Sequence, residues 1–138
     1  MGKAGKKSIC DESSHKDCPV FLTLSLIANK WSVQILYYLM QANKSTLRFS
    51  ELQKQLNGIT QRELTKHLRE FEKTGIVTRT VFPQIPPRVE YTLSDMGHSL
   101  FIPIKALAQW AEKHGPTIQK KREDFERRAA KKSGKQAA

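Results

Sequence analysis

Two helix starts, separated by a short turn that contains a glycine, constrain the fold of this chain more than any other feature. Ser50 and Thr60 are each followed three residues later by a glutamine or glutamate, which is the capping-box pattern of a helix N-terminus. Gly58 lies between the two starts and tolerates the backbone conformation in which many helices end. We therefore predict a short helix over 50–56 and a longer helix over 60–74, with the spacing of a helix-turn-helix.

A β-hairpin is predicted directly after the second helix. Residues 76–82 are rich in β-branched side chains, which favour a strand. Residues 83–87 include three prolines, which cannot donate hydrogen bonds within a central strand, so this segment is a loop. Residues 88–93 alternate polar and apolar side chains, as in a strand with one buried face. The predicted fold is therefore mainly α with a small β-hairpin wing, a winged helix-turn-helix.

Further helices are predicted before this motif. Pro19 suits the first turn of a helix over 19–28. Asn29 is the predicted N-cap of a second helix, which ends near Gln41. Residues 42–46 are predicted to form a loop that leads into the helix-turn-helix.

The C-terminal part of the chain is predicted to be a long helix with Ser94 as its N-cap. Pro103 is expected to bend or interrupt this helix early. Gly115 and Pro116 are expected to end it, with a charged extension after them and a frayed basic tail over 129–138. The predicted organisation is a flexible arm 1–17, a winged helix-turn-helix domain 18–118, and a basic extension 119–138.

The helix over 60–74 has sharply segregated faces. Leu64, Leu68 and Phe71 form a narrow apolar face at helical spacing. On the opposite side, four cations fall within an arc of about 60° at about 100° per residue: Arg62, Lys66, Arg69 and Lys73. Arginine and lysine neutralise DNA phosphates and release counterions, so this face suits a duplex.

Residues near the start of a recognition helix enter the major groove, where arginine can read guanine and glutamine can read adenine. The full set of predicted DNA-binding residues is Arg48, Ser50, Thr60, Gln61, Arg62, Thr65, Lys66, Arg69, Lys73 and Arg88. We expect the base-reading residues to be Gln61, Arg62, Thr65 and Lys66. Two alternatives stay open: Ser50 can be only a helix cap, and Arg88 can be a cross-strand partner for a glutamate.

The net charge of +11 is a weaker indication of function than this face, because residues 115–138 carry nearly half of the excess, with eight basic and three acidic side chains. No run of about 18 apolar residues predicts a membrane helix, and no apolar segment follows the basic start as it does in a signal peptide. With only two cysteines, the composition fits the cytoplasm.

The chain resembles the HxlR-type winged helix-turn-helix family. The resemblance spans about residues 18–114 and is carried by the segments 18–20, 30–31, 47–52, 58–61, 64–65, 68–72 and 86–93. Its most specific part is the run Pro87-Arg88-Val89-Glu90-Tyr91. The resemblance implies a dimeric bacterial or archaeal transcription regulator whose first and last helices make the dimer interface.

An apolar stripe on the last helix independently favours a dimer. The stripe consists of Leu100, Ile104, Leu107 and Ala111, and the expected interface also includes Leu22 and Leu26 of the first helix. Left uncovered, such a stripe would form an exposed apolar patch, which two-fold pairing would bury. The alternative is that the last helix packs only on its own domain.

Cys18 occupies the position at which some members of this family carry a redox-sensing cysteine. A helix predicted to begin at Pro19 would favour the thiolate form of this side chain. The alternatives are a buried packing residue and a disulfide with Cys10. Cys10, His15 and Cys18 do not make a convincing zinc site, because a closed site needs four ligands.

The leading functional prediction is a sequence-specific regulator, a repressor or dual regulator, that binds an inverted-repeat operator as a homodimer. The alternative is a sequence-neutral nucleic-acid binder that depends on its basic tail. We find no catalytic motif, so an enzyme is disfavoured, and we expect no cofactor, metal or membrane partner. A small-molecule or redox effector is compatible with the sequence, but nothing in it identifies one.

Overall fold

The computed structural model describes residues 18–136 of the 138. The predicted arm 1–17, with Cys10 and His15, lies outside the described residues. The chain divides into two compact units at the boundary between Ser99 and Leu100.

The described part of the first unit, residues 18–99, contains five helices, one 3-10 turn and three strands. They are α1 (Pro19–Ile27), α2 (Lys30–Gln41), the 3-10 turn Asn43–Ser45, β1 (Thr46–Arg48), α3 (Phe49–Gln55), α4 (Gln61–Lys73), β2 (Val77–Phe82), β3 (Arg88–Leu93) and α5 (Asp95–Ser99). Over residues 100–136, the second unit consists of one helix, α6 (Phe101–Gln136). This arrangement confirms the predicted winged helix-turn-helix, with α3 and α4 as the motif and β2–β3 as the wing.

The core of the first unit forms where α2, α3 and α4 meet. Its fully buried side chains are Ile35, Leu36, Leu39, Leu52, Leu56, Leu64, Leu68 and Phe71. The three residues predicted as the apolar face of α4 are all in this set. Burying a side chain of this size contributes about 1.5–3 kcal/mol, so the core fixes α4 firmly against α2.

Both ends of α4 are capped as the sequence predicts. The Thr60 hydroxyl accepts a hydrogen bond from the Glu63 backbone N–H at 3.1 Å, and the Glu63 carboxylate accepts one from the Thr60 N–H at 3.1 Å. At the other end, Gly75 has a φ of 76°, and the Ile76 N–H donates to the Phe71 carbonyl at 2.9 Å. This is the Schellman arrangement, which determines where the chain leaves the helix.

The start of α3 differs from the prediction. The helix begins at Phe49, and the Glu51 carboxylate accepts a hydrogen bond from the Arg48 N–H at 2.8 Å. Ser50 is therefore inside the first turn and is not the N-cap. The acidic residue one position beyond the predicted cap supplies the capping contact, which moves the boundary toward the N-terminus.

A third strand, β1, lies where the sequence predicts the end of a loop. It pairs antiparallel with β3, so the sheet order is β1-β3-β2. The Thr46 and Thr92 hydroxyls, which face each other across this pair, are 2.8 Å apart. The hairpin is therefore one part of a three-stranded sheet, and β3 is its central strand.

The C-terminal segment confirms two predictions and corrects two. The Ser94 hydroxyl accepts from the Gly97 N–H at 3.1 Å, as expected of an N-cap, and helical structure is interrupted at Leu100, three residues before Pro103. The prediction that Gly115 and Pro116 end the helix is wrong, because α6 continues through both to Gln136. The described part of the predicted frayed tail, 129–136, is helical.

Helix α1 is apolar and has no buried residue. Leu22 is 61% exposed and Leu24 is 47% exposed. No single helix among residues 18–136 is long and apolar enough to span a membrane, and only α1 and α2 taken together, bent by 80°, meet that criterion. The side chains of Leu22 and Leu24 thus leave apolar surface of α1 exposed, whereas Leu26 and Ile27 are half-buried.

Candidate nucleic-acid interface

Helix α4 presents polar and basic side chains on the side opposite its core. Its six predicted DNA-binding residues, Gln61, Arg62, Thr65, Lys66, Arg69 and Lys73, are all exposed. Thr65 holds its hydroxyl against the helix by donating to the Gln61 carbonyl at 2.7 Å. The helix therefore offers a continuous polar surface, positioned by the buried leucines behind it.

An open cleft brings this surface together with the wing. Six of the predicted residues line it: Arg48, Ser50, Gln61, Thr65, Arg69 and Arg88. Its volume is about 780 Å³. Arginines from β1, α4 and β3 thus converge on one concave surface, with the carboxylate of Glu72 also in its lining.

Two further residues of this cleft, Arg79 and Gln84, were missed by the sequence prediction. Arg79 lies in β2 opposite Tyr91, and Gln84 lies in the wing loop. A cation in the first strand of the hairpin was the available signal for Arg79, because that strand follows the recognition helix directly. For Gln84, a polar side chain within a loop of prolines gave no comparable signal.

A second concave surface runs along the outer side of α4. It has a volume of about 920 Å³ and includes Arg62, Lys66 and Lys73. Gln61, Thr65 and Arg69 line both concave surfaces and therefore lie between them. The predicted residues thus form two adjoining groups that share three members, and only one of the groups includes the wing.

The hydroxyl of Thr60 is committed to the helix cap. It accepts from the Glu63 N–H and also donates to the Glu63 carboxylate at 3.0 Å. The backbone and side-chain hydrogen bonds from Thr60 hold the pKa of Glu63 below its usual value. Thr60 lines neither concave surface, so its predicted contact with DNA stays a prediction.

Arg88 makes two contacts within the sheet. Its guanidinium carbon lies 4.0 Å from the centre of the Phe82 ring, which is its neighbour in β2. Its Nε is 3.5 Å from Glu90 Oε1, so the expected glutamate partner is present, but on the same strand and not across it. The side chain remains 27% exposed at the cleft, which leaves it able to meet a phosphate as well.

His67 lies at the edge between the core and the basic surface. Its Nδ1 is 3.4 Å from the Oγ of Ser32, a buried residue of α2. Burial, and to a smaller extent the charge of Lys66, lowers the pKa of His67 from its ordinary value of 6.5. A neutral imidazole therefore joins α4 to α2 near neutral pH.

Cys18 is the N-cap residue of α1 and is buried, with 7% of its surface exposed. Its burial fits the packing role that the sequence left open, while its place at a helix N-terminus fits the reactive one. Within residues 18–136, no three His, Cys, Asp or Glu side chains are grouped so that they could hold a metal ion.

The predicted dimer residues are exposed to different degrees. Leu22 and Leu107 are 61% and 58% exposed. Ala111 is also exposed, whereas Leu26, Leu100 and Ile104 are half-buried. Both α1 and α6 therefore carry apolar side chains that the described chain leaves at least partly uncovered.

Comparison with known proteins identifies the family. The model of the HxlR-like helix-turn-helix family matches residues 26–119. The chain belongs to the HxlR-like helix-turn-helix family. It is 43% identical over 103 residues to the HTH-type transcriptional regulator YdeP of Bacillus subtilis. The aligned region covers 75% of this chain and 78% of YdeP.

Solved structures that are similar to this chain have the same fold. The transcriptional regulator ytfH from Salmonella typhimurium aligns with a TM-score of 0.67 and 32% identity, over 78% of this chain and 94% of that one. The redox regulator HypR in its reduced form aligns with a TM-score of 0.65 and 37% identity, over 73% and 97% of the two chains. This HxlR-like protein is therefore a DNA-binding transcriptional regulator with a winged helix-turn-helix.

Proposed function

We propose that the protein is a sequence-specific regulator that binds an inverted-repeat operator as a homodimer. In this proposal α4 enters the major groove, and the wing contacts the phosphate backbone or the minor groove. The observation that carries the proposal is the convergence of Arg48, Arg69, Arg79 and Arg88 on one concave surface beside the start of α4. Family membership does not favour the sequence-neutral alternative.

Each group of side chains has a different role in this proposal. Gln61, Arg62, Thr65 and Lys66 project from the first half of α4 and read base edges, because that half of a recognition helix lies deepest in the groove. Arg69 and Lys73 lie in the second half, where they meet phosphates. The DNA phosphates on either side of the groove are contacted by Arg48, Ser50, Arg79 and Arg88. These contacts set the register of α4 on the duplex.

The exposed apolar side chains of α1 and α6 support the proposed homodimer. Leu22 and Leu107 are largely exposed, so they contribute little burial of apolar surface to the stability of a single chain. A two-fold interface would bury both side chains. Two recognition helices would then meet half-sites about one turn of DNA apart. Such a regulator acts where DNA lies, which we expect to be the cytoplasm.

Selection of bound sequences from random duplexes tests the proposal directly. We expect enrichment of an inverted repeat whose half-sites lie about one helical turn apart. A matched variant, Gln61→Ala, should alter the enriched sequence at one position of each half-site. Failure to enrich any sequence would contradict the proposal and favour sequence-neutral binding.

A redox response through Cys18 is a second proposal, supported by the position of this cysteine at the N-terminus of α1 and by the similarity of the chain to the redox regulator HypR. Oxidation of a thiol beside a proposed dimer helix would change the dimer and hence the half-site spacing. We expect mild oxidation to alter operator affinity in the wild type and not in Cys18→Ser. The same response in both proteins would contradict a sensor role for Cys18.

A further inference from the structure

The extension of α6 beyond the family match has a pronounced basic face. The match ends at residue 119, and the helix continues to Gln136. At about 100° per residue, seven of the eight cations in this extension fall within an arc of about 140°: Lys120, Lys121, Arg127, Arg128, Lys131, Lys132 and Lys135. We call this set the distal basic face. The eighth cation, Arg122, lies outside it.

The carboxylates of the extension largely avoid this face. Glu123 lies about 40° beyond the edge of this face, Glu126 lies nearly opposite its centre, and only Asp124 falls within its arc. Asp124 forms the one ion pair found among the described residues of α6, with its Oδ1 3.7 Å from Arg127 Nη1. The other six cations of the face are exposed to solvent and make no ion pair within the described chain.

We propose that the distal basic face binds the phosphate backbone of double-stranded DNA without reading its sequence. This inference rests on the proposed function, because it supposes that the winged helix-turn-helix brings the protein to DNA. A polyanion is the partner that the face fits, because a row of exposed cations on one side of a helix releases counterions condensed on the duplex when it meets phosphates. The face therefore adds contacts that the family match does not include.

The dimensions of the face suit a duplex. Lys120 and Lys135 are separated by about 22 Å along the axis at 1.5 Å per residue. Duplex DNA carries one charge per about 1.7 Å, so a segment of this length meets many phosphates. If half of the seven cations each contact one phosphate, the slope of log affinity against log salt steepens by about 3 for each bound chain.

Two matched pairs of variants test the position of the charges separately from their number. Asp124→Lys and Glu126→Lys change the net charge equally, but only the first lies on the face. Arg128→Gln and Arg122→Gln each remove one arginine, and again only the first lies on the face. The measurement is the affinity of the full chain for a long random-sequence duplex across a range of salt concentrations, with helix content checked by circular dichroism.

We expect Asp124→Lys to strengthen binding severalfold and to steepen the salt slope by about 1–2, because it adds a cation and releases Arg127. Arg128→Gln should make the slope shallower by about 1, while Glu126→Lys and Arg122→Gln leave it close to wild type. Equal effects within each pair, or no effect in either, would overturn the inference. A change of oligomeric mass in the on-face variants alone would overturn it too, by assigning the face to pairing between copies.

The inference and the proposed function can fail independently. If the protein selects an inverted repeat but the variants within each pair behave alike, the proposed function stands and the DNA contact of the distal basic face is contradicted. If the variants differ within each pair but the protein selects no sequence, the DNA contact of the distal basic face stands and sequence-specific regulation is contradicted.

Discussion

The cations of α4 differ in their distance from the start of the helix, and this predicts different effects on DNA binding. Arg62 is the second residue of α4 and Lys73 is the last. We expect Arg62→Ala to weaken operator binding by about 1–3 kcal/mol and to relax one operator position, because it would remove the proposed base contact. Lys73→Ala should weaken binding to all sequences about equally and reduce the salt slope. Equal effects of both variants on every sequence would contradict the base-reading role of Arg62.

His67 should make the stability of the first unit depend on pH. Because burial lowers its folded-state pKa below 6.5, the unfolded chain binds the proton more readily between these two values. The contribution of neutral His67 is thus complete above 6.5 and is lost as the pH falls toward the lower folded-state value. Urea denaturation across this range should show a smaller decline in His67→Gln than in wild type. His98→Gln, at an exposed position, is the control and should behave like wild type.

Gly97 is required at its position in α5 by close packing. A methyl group there would approach the Ile76 carbonyl oxygen too closely and would lie 2.7 Å from Leu93 Cδ1. We expect Gly97→Ala to lower the free energy of unfolding by about 1–3 kcal/mol, the range for overpacking. Gly115→Ala, which meets nothing within 4 Å, should stabilise α6 slightly. Thermal denaturation of the two variants measures both effects, and equal shifts would contradict the steric explanation.

At the scale of elements, the caps of α3 and α4 predict unequal costs for two similar substitutions. Thr60 accepts the Glu63 N–H, whereas Ser50 lies inside the first turn of α3 and does not cap it. We therefore expect Thr60→Ala to cost about 1 kcal/mol of stability. Ser50→Ala should cost less than about 0.5 kcal/mol. Chemical denaturation decides between this and the reverse order, which would restore Ser50 as a cap.

The elements that could be predicted are those with a local cause. The α4 boundaries follow from Thr60 and Gly75, and β3 follows from an alternation that begins at Arg88 and ends at Leu93. Strand β1 could not be predicted in this way. It has three residues, too few to show alternation, and its partner Thr92 lies 46 residues away, so its stability depends on a contact that the local sequence does not contain.

The candidate site could be predicted on α4 better than elsewhere, because the positions of residues on one helix depend only on the local sequence. A helix face can be read from spacing alone, and all four predicted cations of α4 are exposed together. Arg79 joins them only because β2 packs near α4, which spacing within the strand does not reveal. The continuation of α6 past Pro116 was missed because a glycine followed by a proline usually indicates a helix end. In the structure the helix runs through both residues to Gln136.

For the whole molecule, the proposed dimer accounts for apolar surface in both units. Leu22 of α1 and Leu107 of α6 are more than half exposed, a costly arrangement if neither has a partner in solution. Exposure alone does not identify an interface, because Val81 of the wing is also 47% exposed. The wing is proposed to face DNA, however, so these positions should respond differently to the same substitution.

We expect Leu22→Asp and Leu107→Asp each to shift the protein from dimer to monomer, because a buried carboxylate without a partner opposes association. Val81→Asp, a matched change at the wing, should leave the dimer intact. Sedimentation equilibrium measures the mass, and circular dichroism checks that the fold is retained. A monomer engages one half-site at a time and loses the advantage of linked binding, so operator affinity should fall by roughly 10²-fold or more. If the variants at Leu22 and Leu107 stay dimeric and folded, the interface lies elsewhere, and the exposed leucines need another partner.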